Sequence, residues 1–230
     1  MRKCLLLIAI LIIYVQLVGS LSSTAAAHEL PSKITAKLKQ LDKSSGGSLE
    51  IYWNNLTNTP AKLTGRLSQP SKHTPEWIAY GFLSKWRVLY GLKNPNSAMM
   101  VIKVERYSDS SYVYFQHLLF QTPVWEDGLV VEISHEGVIE RVEGTIHPHL
   151  EKQLFNKPMH PGITKKQAIK KAIARMQEFP IMEPSLESYY LSSRSGTPLI
   201  YVIKLYYSNP NREITTFVHA LTGRIIELDS

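Results

Sequence analysis

The sequence predicts an α+β fold built from two helix-on-antiparallel-sheet subdomains, and three features predict it. Two helix starts are strongly marked, at Thr74-Pro75-Glu76 and at Thr164 to Gln167. Each is followed by a series of alternating apolar and polar runs of strand length. Between the runs lie glycine turns, Ser134 to Gly137 and Leu221 to Gly223, whose glycines supply the positive φ that tight hairpins need.

Ahead of the two subdomains comes a secretory signal pattern. Arg2 and Lys3 give the positive start, Leu5 to Val18 the apolar run, and Thr24 to Ala27 a small-residue cleavage site, so residues 1–27 are expected to be removed. About 14 apolar residues fall short of the ~20 that span a bilayer, so no membrane attachment is expected after cleavage. Cys4, the single cysteine, leaves with the signal, which excludes disulfides, thiol catalysis and Cys-ligated zinc. Removing Arg2 and Lys3 from 26 basic residues leaves 24 against 19 acidic ones, a formal charge of +5. That balance permits contact with an anionic wall polymer or an acidic partner. No basic run has the length of a nucleic-acid arm, so no nucleic-acid partner is expected.

Residues 28–48 are polar and end in Ser44 to Ser48, which predicts a short helix or coil and a flexible hinge. Strands follow over Leu49 to Trp53 and Ala61 to Leu67. In the first helix Thr74 is the hydroxyl cap, Pro75 fits the first turn, and Ile78, Phe82, Trp86 and Leu89 share a face widened by Leu83 and Tyr90. Gly91 and Pro95 stop it. Met99 to Tyr107 is the next strand, then Tyr112 to Phe120, a turn from Gln121 to Gly128 centred on Pro123, Leu129 to Ile133, and Val138 to Gly144. Pro123 cannot donate to a ladder and is expected in the connection. Glu126 and Asp127 read as solvated turn residues.

Residues 149–162 read as a linker, and His147, His149 and His160 as surface histidines around it, because two imidazoles separated by one proline do not fix a zinc geometry. The second helix opens with a Thr164/Gln167 capping box, carries its apolar face on Ala168, Ile169, Ala172, Ile173 and Met176, and ends at Pro180. Strands are expected over Ser188 to Leu191, Leu199 to Tyr206, Arg212 to Ala220 and Arg224 to Leu228.

Phe115-Gln116, Pro123-Val124-Trp125, Leu129-Val130-Val131 and Gly137 together resemble the fungalysin/thermolysin propeptide motif of secreted thermolysin-type metallopeptidases. Three positions depart from it: Gln121 and Glu126 stand where the family has glycine, and Gly128 where it has an acid. Ile163-Thr164, Gln167-Ala168, Tyr201-Val202 and the hairpin from Phe217 to Ile225 resemble a PepSY domain. The resemblance implies a propeptide-like domain over 49–148 and a PepSY-like domain over 163–230.

In precursors of that family the pair is followed by a zinc domain with His-Glu-x-x-His on a helix. Here His28-Glu29 and His135-Glu136 are the only His-Glu pairs, and neither has a His three residues after the Glu. Nor is there a nucleophile elbow or a phosphate-cradling glycine loop. No catalytic, metal or cofactor residue is therefore expected. The resemblance implies a secreted, non-catalytic protein acting in trans as inhibitor or folding chaperone of a thermolysin-type zinc metallopeptidase. Its candidate partner-binding residues are Pro123, Val124 and Trp125 and the chain end Leu228, Asp229 and Ser230. The competing expectation is a cell-envelope module that binds wall polymer or a secreted protein with no peptidase involved.

Overall fold

The structure, a computed structural model, describes residues 31–176, 178–208 and 211–228. The expected signal peptide lies outside them, as do Asp229 and Ser230. In chain order the elements are α1 (Ser32–Ser44), β1 (Glu50–Asn54), β2 (Thr59–Thr64), α2 (Pro75–Trp86), a 3₁₀ turn (Arg87–Tyr90), α3 (Pro95–Ala98), β3 (Met99–Arg106), β4 (Ser110–Leu119), β5 (Thr122–Ser134) and β6 (Ile139–Thr145). Then come α4 (Leu150–Gln153), α5 (Lys165–Met176), β7 (Ser185–Tyr190), β8 (Leu199–Ser208), β9 (Asn211–His219) and β10 (Ile225–Ile226). The fold is α+β, as the sequence predicts.

The helix starts follow from their caps. Thr74 Oγ1 accepts from the Trp77 N–H at 3.4 Å, with Pro75 in the first turn where a missing N–H costs nothing. The Thr164 N–H donates to Gln167 Oε1 at 2.8 Å, and the Gln167 N–H donates to Thr164 Oγ1 at 3.2 Å, which closes the capping box. Gly91, at φ +63°, ends the first helical run. Within the segment expected to be flexible, Ser32–Ser44 is helical, and Ile34, Leu38 and Leu41 set one face on the first core with Leu41 wholly buried.

The first half has strand order β1-β2-β6-β5-β4-β3, all antiparallel. Its core joins Ile78, Phe82, Leu83, Trp86, Leu89 and Tyr90 to the inward positions of β4, β5 and β6, including Val113, Val131 and Val142. The second half is the antiparallel series β7-β8-β9-β10. Ala168 and Ala172 bring α5 close to Tyr201, Ile203, Leu205 and Val218 on one face of it. The expected linker is pinned as well: Leu150 of α4 is buried in this second core, and the Met159 N–H donates to the Tyr190 hydroxyl at 3.0 Å.

One expectation about the central strands is corrected. Pro123 does not sit in a connection. The chain turns at Phe120 and Gln121, at φ +49° and +66°, and Leu119 already faces Thr122 across the ladder. Two successive left-handed residues give the twist a two-residue hairpin requires, so β5 begins before the proline. Pro123 lies opposite Leu118 at the strand's start, where an absent N–H is tolerated.

The register then slips. Gln116 faces Gly128 while Leu118 faces Pro123, so Val124, Trp125, Glu126 and Asp127 all stand against His117. This wide bulge turns Val124 towards Tyr190, and that single parallel pairing joins β5 to β7 and the two sheets to each other. Gly128 closes the bulge, where a Cβ would come within 2.3 Å of the Phe115 carbonyl oxygen.

Glu126, at φ +57°, shares with Gln121 a left-handed backbone that costs a residue with a Cβ about 1 kcal/mol or more. Both side chains are exposed. Gln121→Gly and Glu126→Gly are each expected to stabilise the protein by about 0.5–1 kcal/mol in urea denaturation. A loss of stability at either position would refute the assignment of strain to that residue.

Candidate functional site

The bulge is held from both sides. The Gln116 Nε2 donates to the carbonyl oxygens of Val124 at 2.7 Å and Asp127 at 2.8 Å, so the glutamine of the propeptide-like motif ties the two ends of the excursion together. Beneath it lies Asp127, with its side chain 1% exposed. Oδ2 of Asp127 accepts from His117 Nδ1 at 3.0 Å and from the His147 backbone N–H at 2.8 Å, while Oδ1 accepts from His147 Nδ1 at 2.6 Å. The Ser192 hydroxyl, beyond the end of β7, lies 3.5 Å from Oδ1.

Two sequence expectations are thereby corrected. Asp127 is not a solvated turn residue, and His147 is not a surface linker histidine. Both form a buried polar cluster drawn from β4, β5, the end of β6 and the end of β7. His149 and His160 are exposed, as expected. Burial pushes the Asp127 carboxyl up, but the hydrogen bonds from His117, His147 and the His147 backbone outweigh it and hold the group below its usual range. An ionised carboxylate only accepts, so both imidazoles carry a proton on Nδ1. Ser192 reaches the carboxylate rather than an imidazole, so the cluster lacks the hydroxyl-to-base pairing of a nucleophilic site. Its chemistry is that of a lock between chain segments. Among the described residues, no group of three or more His, Cys, Asp or Glu is placed to hold a metal ion.

What the lock presents is Trp125. Its neighbour Val124 is fully buried in the second core and has no surface left for a partner, which removes it from the expected binding residues. Trp125 points to the other side of the second sheet, the side away from α5. There its ring meets Tyr189 and Phe217 edge-on, each with centroids 5.1 Å away, and together they cover the buried Ile200 and Val202 while staying partly exposed themselves. The indole Nε1 is buried with no hydrogen-bond partner. Tyr189 donates to Glu187 Oε2 at 2.6 Å, and burial together with that carboxylate pushes its phenol up to about 12.

Leu228 packs on the same cluster, beside Ile226. The chain reaches it under restraint: Arg194 Nη2 donates to the Glu227 carbonyl oxygen at 2.6 Å, and Arg175 Nη2 pairs with Glu227 Oε1 at 2.7 Å. Two stretches that sequence reasoning selected separately, the Trp125 segment and the chain end at Leu228, thus converge on one apolar sheet face. Tyr189 and Phe217 belong to it and were missed, because only strand register shows that they flank the tryptophan.

Asp127→Asn should cost about 2–3 kcal/mol at pH 7, since it leaves buried imidazole donors facing an amide nitrogen or a weaker acceptor. The carboxyl value is lowered on folding, so the contribution is complete above the ordinary carboxylate pKa near 3.9 and is lost as pH falls through the lower folded value. Urea titrations of both proteins at pH 7 and at about pH 2.5 are expected to show the gap shrinking in acid. A gap independent of pH would mean that the carboxylate charge contributes nothing.

No family model matches the chain. It is 23% identical over 181 residues to Bacillolysin of Bacillus cereus, a stretch that covers 76% of this chain and 32% of that protein. The C-terminal domain of YpeB from Bacillus megaterium aligns with 88% of this chain and 99% of its own length, at 13% identity and a TM-score of 0.36. Among the described residues no helix is long and apolar enough to cross a membrane. The chain therefore carries a weak likeness to a protease over most of its own length, while spanning about a third of that protease.

Proposed function

We propose that this chain is a secreted, non-catalytic binding protein that acts in trans on a thermolysin-type zinc metallopeptidase, as its inhibitor or folding chaperone. The observation that carries this reading is the convergence of the Trp125 segment and the chain end at Leu228 on one apolar face whose outer side chains are partly exposed. Both segments lie within the parts of the sequence that resemble a propeptide motif and a PepSY domain. The likeness to Bacillolysin, a thermolysin-type protease, over 76% of the chain supports the same partner class.

Physically, the peptidase surface would pack on the exposed parts of the Trp125, Tyr189, Phe217 and Leu228 side chains. The binding residues are Pro123, Trp125 and Leu228, with Asp229 and Ser230 continuing into the enzyme's cleft. Partly exposed aromatic residues around an apolar centre are the kind that dominate protein–protein binding energies.

The test is to titrate a thermolysin-type peptidase with purified residues 28–230 on a small peptide substrate. Stoichiometric or submicromolar inhibition that outlasts degradation of the added protein is expected. Deleting Glu227 to Ser230 should raise the inhibition constant at least about tenfold, which corresponds to ~1.4 kcal/mol. An unchanged constant would remove the chain end from the site. Cleavage of the chain as a simple substrate, with no gain in refolding yield of the peptidase, would sink the proposal and favour binding to the cell envelope.

A further inference from the structure

A second surface, on the first half of the molecule, is shaped for a ligand that the peptidase reading does not use. A groove of about 230 Å³ runs between α2 and the segment after β2, with Leu67, Ile78, Phe82, Trp86 and Ile139 at its base. Trp77, Gly81 and Lys85, four residues apart, form its helical side. Trp77 is 59% exposed, yet its ring is held by His73, with centroids 3.9 Å apart and planes inclined at 33°. An exposed tryptophan with a propped ring is a preformed contact that loses little freedom on binding.

Gly81 is the telling residue. A glycine inside a helix costs about 1 kcal/mol relative to alanine, and cores usually repay it through close packing. Here a Cβ would have no atom within 4 Å. Its effect in the folded protein is to leave the helical side of the groove open.

The charge and hydrogen bonding of the groove narrow the occupant. No carboxylate lines it. Two cations stand over the Trp86 ring, Lys85 at 4.9 Å and Lys37 at 5.7 Å from its centroid. The serine hydroxyls at the rim are already engaged with the backbone: Ser68 Oγ accepts from the Ile139 N–H and donates to the Gln69 carbonyl oxygen, and Ser71 Oγ accepts from the His73 N–H. That leaves few polar groups to read the hydroxyls of a sugar. It leaves an apolar slot with a positive edge.

We infer that this groove binds an acidic peptide segment of a partner protein, seating one apolar or aromatic side chain against Trp77 beside Gly81, with a flanking carboxylate on Lys85. The interaction is separate from the apolar face of the second half, so each can fail without the other.

The test uses residues 28–230 and three probes: the peptide Asp-Glu-Leu-Phe-Glu-Asp, the same peptide with Ser-Ser at its centre, and oligogalacturonate as an anionic glycan. Isothermal titration and the indole N–H shift of Trp77 report binding. The Leu-Phe peptide is expected to bind in a salt-sensitive way and the Ser-Ser peptide not to bind. Gly81→Leu fills the slot and improves helix propensity, so it should fold at least as well as the parent while weakening the peptide at least about tenfold. Lys85→Glu should weaken it about fivefold or more, and neither variant should alter peptidase inhibition. No binding of the Leu-Phe peptide, equal affinity for Gly81→Leu, or binding of oligogalacturonate in its place would each overturn the inference.

Discussion

The excursion of β5 at Val124 to Asp127 is the feature on which both halves depend. A strand normally alternates its side chains between two faces of one sheet. Here four residues stand opposite His117, and that surplus lets one strand serve two sheets: Val124 pairs with Tyr190 while Leu129 to Ile133 remain in the β4–β5–β6 ladder. Such an insertion leaves backbone carbonyls and a carboxylate inside the protein, where they are costly unless paired. Gln116 takes the carbonyls and the two histidines take the carboxylate. The polar cluster is therefore the condition for joining the halves, and Trp125 is aimed by it.

The same bulge separates what the sequence disclosed from what it concealed. Local chemistry was readable: the hydroxyl and proline at Thr74-Pro75, the Thr164/Gln167 box and the glycine at Gly137 each act within a few residues of themselves, and each is present as expected. The helical faces at Ile78, Phe82 and Trp86 and at Ala168 and Ala172 were readable for the same reason. Asp127 was not. Its partners lie 10, 20 and 65 residues away, and an acid beside a second acid in a Pro- and Gly-flanked stretch has the local pattern of a surface turn. The Phe120–Gln121 turn escaped notice because no glycine marks it, although the backbone adopts the conformation that glycine would supply freely.

The proposed binding face was half legible. Trp125 and Leu228 were selected from stretches far apart in sequence, and their meeting on one face is a consequence of register in β7, β8 and β9. Val124 was selected with them on the strength of its motif and belongs to the interior. Adjacent strand residues point to opposite faces, so a tripeptide motif on a strand cannot offer all three side chains to one partner.

The two proposed surfaces differ in physical terms. A formal charge of about +5 on residues 28–230, spread over alternating acids and bases, gives weak long-range steering, so the proposed peptidase binding would draw its affinity from apolar area and packing. The second sheet offers that: Trp125, Tyr189 and Phe217 are held edge to edge over the buried Ile200 and Val202 and stay partly exposed themselves. The groove on α2 has the opposite balance, a small apolar slot with Lys85 at its edge, which would discriminate by charge more than by area. A ligand that pairs an apolar anchor with carboxylates meets both requirements of the groove. The sheet face asks only for a complementary apolar surface. Because the lock at Asp127 aims Trp125 on the sheet face and touches no residue of the groove, weakening it should disturb the proposed peptidase binding while leaving the groove intact.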